Sequence, residues 1–211
     1  MSTPDTKQKI IGSAIELFNE NGIANVRLQQ IADASGISVG NLAYHFRNKF
    51  IIISAVYEQI SEEICHILSN YRNYPNFSDF DSQLSFYYRF LQKYPFYFSE
   101  SVEIKRNFPE IFDFQQQLVP KIISQIRKRF DFNIQRGAIL PEPHPNLYDN
   151  TAQIIGMIII YWDCNPIVML NQNDSETLFK ETVWNQIYPY FTLTGKAEFE
   201  KLISPILTPD N

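Results

Sequence analysis

A chain of 211 residues is long enough for one large domain, or for a small domain joined to a larger one. Hydrophobic residues at 45% and charged residues at 19% place it among globular proteins rather than disordered ones, and a formal net charge of −5 gives no hint of nucleic acid. Cys65 and Cys164 are the two cysteines, and neither lies in a C-x-x-C or Cys/His cluster, which argues against a disulfide framework or structural zinc and fits a reducing cytoplasm. The opening Met1-Ser2-Thr3-Pro4-Asp5 lacks the apolar core of a signal peptide. The longest apolar stretch, Ile154 to Trp162, falls far short of the roughly 20 residues that span a bilayer, so a cytoplasmic protein with no membrane partner is expected.

In chain order, Ile10, Ile11, Ala14, Ile15, Leu17 and Phe18 recur at helical spacing, and Asn21-Gly22 supplies a stop. A short helix is predicted from about Arg27 to Ser35, with Leu28, Ile31 and Ala32 inward and Gly36 at its end. Ser38 is a good N-cap for a third helix reaching about Phe46. Asn48-Lys49 opens a long fourth helix that closes near Tyr74-Pro75. Further helices are predicted from Phe77 to Tyr94, across a short segment before Asn107-Phe108-Pro109, and from there to about Phe132. Pro120 falls inside the last of these and predicts a kink. After a stop at Gly137 and a Pro-rich loop at 141–145 come two long apolar helices, about Asn146–Leu170 and Asp174–Leu193, then Gly195 and a short terminal helix. The pattern is all-α, without strand-like alternation or an internal repeat.

The segment Gln30-Ile31-Ala32-Asp33-Ala34-Ser35-Gly36-Ile37-Ser38-Val39-Gly40-Asn41-Leu42-Ala43-Tyr44-His45-Phe46 carries the chemistry. Two helices crossing steeply need a small residue at their contact, and Ala32 is one. The turn needs left-handed dihedrals, which Gly36 adopts at little cost. Ile37 and Leu42 plug the core, while the Ser38 cap leaves the first turn of the third helix free to face a major groove. An ordinary helical hairpin would share any one of these features but not their combination. The first 49 residues hold five cations against four anions, a weakly positive head on an acidic body that suits local phosphate contacts.

With these residues in view, Ile10 to about Tyr57 resembles the N-terminal domain of the tetracycline-repressor (TetR) family. The matching pieces are Ile11, Ala14, Leu17-Phe18 and Gly22, then Ile31-Ala32, Gly36-Ile37-Ser38, Gly40, Leu42, Tyr44-His45-Phe46 and Asn48-Lys49. The resemblance implies an N-terminal three-helix helix-turn-helix domain (residues 1–50), linked by a long fourth helix to a larger α-helical effector-binding and dimerisation domain (residues 51–211). It further implies a homodimer on a palindromic double-stranded operator, acting as a repressor released by a small-molecule effector.

Carried over by position, the DNA-binding residues are Arg27, Gln29, Ser38, Val39, Asn41, Ala43, Tyr44, His45 and Lys49. Asn41 can pair with adenine or a phosphate, and Tyr44 and His45 stand where the family touches the backbone. Lys49, at a helix N-terminus, favours phosphate, and Arg27 and Gln29 can clamp the flanking strand. His45 has a second reading as a packing residue. Val39 stands where the family often has a basic residue, Ala43 where tyrosine is usual and Arg27 where a hydroxyl cap is common, so the operator sequence is not legible.

Aromatics crowd residues 77–114, and a single helical face cannot bury them all. One use is a pocket for a hydrophobic or aromatic effector, for which Phe86, Phe90, Tyr97, Phe108, Phe112 and Met157 are the candidates; the other is a bulky core. The dimer candidates are Ile155, Ile159, Trp162, Val183, Trp184 and Ile187, with burial inside one subunit as the alternative. An enzyme is the main rival class. No G-x-S-x-G, H-E-x-x-H or phosphate-cradling loop occurs, and the three histidines have no ligand spacing, so no catalytic residue, metal or cofactor is assigned. A ligand-binding protein with a degenerate DNA-binding domain is the second rival, which Val39 and Ala43 keep open.

Overall fold

The computed structural model of the chain describes residues 4–69, 74–164 and 175–203, without the side chains at 4, 5 and 114. It is all-α: α1 (Pro4–Asn21), α2 (Leu28–Ala34), α3 (Val39–His45) and the long α4 (Lys49–Ser69) lead to α5 (Phe77–Lys93). Three short helices follow, α6 (Phe96–Ser99), α7 (Ser101–Asn107) and α8 (Pro109–Gln116). The chain continues through α9 (Leu118–Gln135), α10 (Leu147–Tyr161), α11 (Glu176–Ile187), a 3-10 turn (Tyr188–Tyr190) and α12 (Leu193–Ile203). No described helix is long and apolar enough to cross a membrane.

Two compact units emerge, and each is built from two separate stretches of chain. The first takes the described residues up to Cys65 together with Leu91–Gln116; the second takes His66–Phe90 and the chain from Gln117 onward. In the first, Ile10, Ala14 and Phe18 of α1 are fully buried with Ile31, Ala32 and Leu42. The segment after α5 joins that core. The Phe96 ring meets Phe18 edge-on with centroids 5.6 Å apart, and lies 6.1 Å from Tyr57 of α4. Leu91–Gln116, which fall within the 51–211 segment expected from the sequence, cluster with the first unit.

The second unit is organised around a buried cation. Arg129 of α9 is ion-paired to Asp79 of α5 at 2.7 Å, donates to Gln83 Oε1 at 2.8 Å and lies 5.1 Å from the Phe80 ring. Both charged side chains are almost completely buried. Removing one partner of such a pair strands the other, at a cost of about 3–5 kcal/mol. Gly156 lets α10 press on α9: a Cβ there would stand 2.9 Å from Ile123 Cγ1. Arg136, at the end of α9, grips Glu198 of α12 with two hydrogen bonds of 2.6 and 2.9 Å.

Two local expectations need correcting. Pro120 does not kink a helix, because the chain breaks at Gln117 and Pro120 falls in the first turn of α9, where its missing N–H has no intrahelical partner to lose. Gly195 does not precede the terminal helix but sits inside α12, on the segment that follows Gly137. There Leu140 N–H donates to Tyr190 O at 2.8 Å and Thr192 N–H to Ala138 O at 3.0 Å, forming a short antiparallel contact.

A Cβ on Gly195 would lie 2.1 Å from Ala138 O, a backbone atom that cannot swing away. Gly195→Ala is therefore expected to destabilise the chain by about 1–3 kcal/mol in urea unfolding. Gly12→Ala is its control: a Cβ on Gly12 in α1 meets nothing within 4 Å. That change should stabilise by about 0.5–1 kcal/mol through helix propensity. Equal effects from the two substitutions would refute the close approach.

Candidate nucleic-acid interface

The recognition element is assembled by local chemistry. α1 stops at Gly22, whose φ of +76° is open to glycine but costly for most residues, and the Gly22 N–H closes the last turn on Phe18 O at 3.0 Å. Between α2 and α3, Gly36 takes φ +65° and donates to Asp33 O at 3.0 Å, and Ile37 donates to Ala32 O at 3.0 Å. Ser38 then caps α3, its hydroxyl oxygen accepting from Asn41 N at 3.1 Å. Arg27 precedes α2 and has no acceptor to serve as a side-chain cap. Half of a capping box survives, in which Arg27 N–H donates to Gln30 Oε1 at 2.7 Å.

α3 anchors itself through one buried side chain, Leu42. Its remaining surface displays Gly40, Asn41, Ala43 and Tyr44, with Tyr44 79% exposed. Ser38, Arg27 and Gln29 are also exposed, whereas Val39, His45 and Lys49 are half-buried. His45 packs edge-on against the Tyr44 ring at 5.3 Å. Gln29 spends one amide hydrogen on Asp33 Oδ1 at 2.7 Å, four residues along the same helix. Ser38, Asn41, Ala43 and Tyr44 are thus all exposed at or along α3.

Lys49 behaves differently from the phosphate anchor that its position suggests. Its ammonium donates to Ile23 O at 2.5 Å and to Ala24 O at 3.3 Å, tying the start of α4 to the corner after α1. Burial lowers its pKa, against the opposing pull of the Glu103 and Glu100 carboxylates. From the other side, Glu100 Oε2 accepts from Ile23 N at 3.2 Å. A Cβ at Gly22 would come within 2.8 Å of Glu100 Oε1, the movable end of a side chain, so it is chiefly the dihedral that calls for glycine at this corner. Glu100 was not singled out by the sequence, and nothing around it, between two short helices, marks it as a partner of residues 77 positions earlier.

The larger-domain candidates scatter. Ile155, Ile159, Trp162, Val183, Trp184 and Ile187 are at most 4% exposed within the single chain, which fits the alternative of burial inside one subunit. Of the pocket candidates, Phe90 and Tyr97 are buried, and Phe108 is half-buried and stacked on Phe50 at 5.8 Å. Phe112 is half-buried with Lys105 Nζ 5.3 Å from its ring, and Phe86 is exposed beneath the Arg89 guanidinium at 5.1 Å. Met157 is 61% exposed and points away from any core. Among the described residues no group of three or more His, Cys, Asp or Glu side chains is placed to hold a metal ion.

Comparison with known proteins agrees with this geometry. Residues 10–56 match the family described as "Bacterial regulatory proteins, tetR family". Over 54 residues the chain is 39% identical to the HTH-type transcriptional regulator RutR of Escherichia coli, and over 68 residues 29% identical to AcrR of Shigella flexneri. These matches span only 26% and 32% of the respective relatives, and the same shares of this chain. Across nearly the whole length the fold is similar to a TetR-family transcriptional regulator of Marinobacter aquaeolei VT8, with a TM-score of 0.81 at 24% identity, covering 97% of this chain and 98% of that one. It is also similar to a gamma-butyrolactone receptor (ArpA-like protein), with a TM-score of 0.71 at 16% identity and 96% of each chain covered.

Ser38→Ala should cost about 1 kcal/mol of stability by removing the α3 cap. Lys49→Ala should also lower the unfolding midpoint, by about 1 kcal/mol after allowance for solvent at the half-buried ammonium. Thermal unfolding followed by circular dichroism measures both. A Lys49→Ala chain as stable as the parent would remove the corner tether from the account.

Proposed function

We propose that the chain, whose residues 10–56 match the tetR family of bacterial regulatory proteins, is a dimeric DNA-binding repressor whose hold on a palindromic operator is released by a small effector. The observation that carries this reading is the surface of α3. With Leu42 alone turned inward, the small residues Gly40 and Ala43 let the helix backbone come close to a groove floor. Asn41, in the first turn, then reaches a base edge, where an adenine offers a matching donor and acceptor. Tyr44 and exposed Arg27 reach flanking phosphates, and Ser38 lies at the entry to the helix. Val39 and Ala43 supply apolar contact to thymine methyl groups rather than polar readout. Lys49 serves the corner after α1, and its charge adds to the field at the helix start without making a first phosphate contact.

A palindrome is read by two heads about 34 Å apart, which requires a second copy of the chain. The outward side of α10 suits that partner. Ile154, Met157 and Tyr161 are 48, 61 and 54% exposed and recur at three- and four-residue spacing, so they form one apolar stripe. This is the opposite side of the helix from the buried Ile155 and Ile159. Release by an effector is supported by the Glu100 contact, through which the α6–α7 segment grips the corner of the DNA-reading head. An effector that favours one position of that segment would shift operator affinity by its differential binding.

Asn41→Ala and Tyr44→Ala are each expected to weaken binding to a duplex selected from a random pool, by about tenfold or more for Asn41. Gel-shift titration at two salt concentrations tests this; unchanged affinity in both variants would overturn the α3 interface. An Ile154→Glu/Met157→Glu chain should elute as a monomer in light-scattering chromatography and bind the palindrome more weakly. A dimer of undiminished stability would place the interface elsewhere.

A further inference from the structure

The described residues of the second unit form a cleft, partly open to solvent, to which no role is assigned above. It has a volume of about 520 Å³ and is bounded by α5, α11 and α12. That size falls within the range of about 300 to 1,000 Å³ spanned by small-molecule sites. The gap beside Arg129 shows the contrast: at about 10 Å³ it holds no more than one water.

The walls of the large cavity divide by chemistry. Trp184, Phe199 and Ile203 supply the apolar side. Asp81, Glu176 and Glu181 bring three carboxylates, against which Lys180 is the one lining cation. Lys180 is fully committed, bound to Asp81 Oδ2 at 2.8 Å and to Glu176 Oε1 at 3.2 Å. The second Asp81 oxygen accepts from the Trp184 indole N–H at 3.0 Å, which fixes the ring against the cavity. Burial opposes ionisation of Glu176, but hydrogen bonds from Ser85 and Lys180 and the charges of Lys180 and Arg89 outweigh it and keep the carboxyl ionised. Arg89 itself is turned to Ser85 O at 3.2 Å and to the Phe86 ring. After Lys180 is counted, the lining keeps two negative charges beside an aromatic wall.

We propose that the cavity between α5, α11 and α12 is a binding site for an organic monocation with an aromatic or alkyl body. The apolar part lies on Trp184, Phe199 and Ile203, and the charged group faces Glu181 and the outer oxygen of Glu176. Aromatic faces and carboxylates both attract such a cation, and the apolar wall replaces the water that a hydrated inorganic ion would keep. An anion finds no uncommitted positive group there. A neutral ligand would gain nothing from the charge of Glu181 or from the outer oxygen of Glu176. The site gives the effector of the proposed regulator a chemical class, and it rests on that reading only for its consequence at the operator, not for binding itself.

The test is calorimetric titration of the full chain with benzyltriethylammonium chloride, with benzyl alcohol and sodium benzenesulfonate as neutral and anionic counterparts. The cation should bind saturably, and the other two at least about tenfold more weakly at low ionic strength. Glu181→Gln, on an exposed position, should weaken the cation several-fold, and Glu176→Gln/Glu181→Gln further, with unchanged circular dichroism. In a Trp162→Phe chain, which leaves Trp184 as the sole tryptophan, the cation should alter indole emission. No saturable binding into the millimolar range, equal binding of all three compounds, or indifference to both glutamates would each overturn the site. Operator binding is measured separately by gel shift without the cation, so loss of this site and loss of the DNA-reading role give different results.

Discussion

The helix-turn-helix head depends on the corner at Gly22-Ile23, which is gripped from two sides. Lys49 at the start of α4 donates to the carbonyl oxygens of Ile23 and Ala24, and Glu100 accepts from the Ile23 N–H. The corner sets where α2 begins and, through Gly36 and Ser38, where α3 points. Its backbone groups could not be satisfied by α1 alone, because a helix leaves its last carbonyls without partners. A positive-φ glycine and two charged side chains finish the job. The α6–α7 segment thereby becomes part of the head, and the Phe18–Phe96–Tyr57 cluster gives it an apolar seat there.

The second unit uses a different device for the same end. Its core contains a buried Arg129–Asp79 pair extended through Gln83 to Gln125, whose Nε2 donates to Leu68 O at the end of α4. Such a network adds little net stability over an apolar core, but every member must be in register before it is satisfied. It therefore locks α5 against α9. With that frame fixed, α10 is free to turn one apolar stripe outward, and α11 and α12 can stand apart around an open cavity.

Much of the head was legible in the sequence because its determinants are local. Gly22, Gly36 and Ser38 act on their own turns, and each appears where its residue type predicted. The larger domain was legible as helices but not as faces. α10 carries Ile154, Ile155, Met157, Ile158, Ile159, Ile160 and Tyr161, an almost continuous apolar run whose period cannot say which side is buried. In the single chain Ile155 and Ile159 are buried and Met157 is exposed, a division that the run itself does not mark. Pro120 misled because the true break, at Gln117, has no glycine or proline to announce it. Glu100 and the cavity carboxylates were out of reach, since their partners lie far away in the chain and only folding brings them together.

In the proposed complex, two α3 helices enter successive major grooves of one duplex. Guanine N7 methylation interference on a duplex selected by the chain reads this directly, because N7 lies on the major-groove floor. Two symmetric clusters of interfering guanines are expected on one face of the duplex, their centres about ten base pairs or a whole multiple of that apart. A single cluster, or binding indifferent to N7 methylation throughout, would contradict that arrangement.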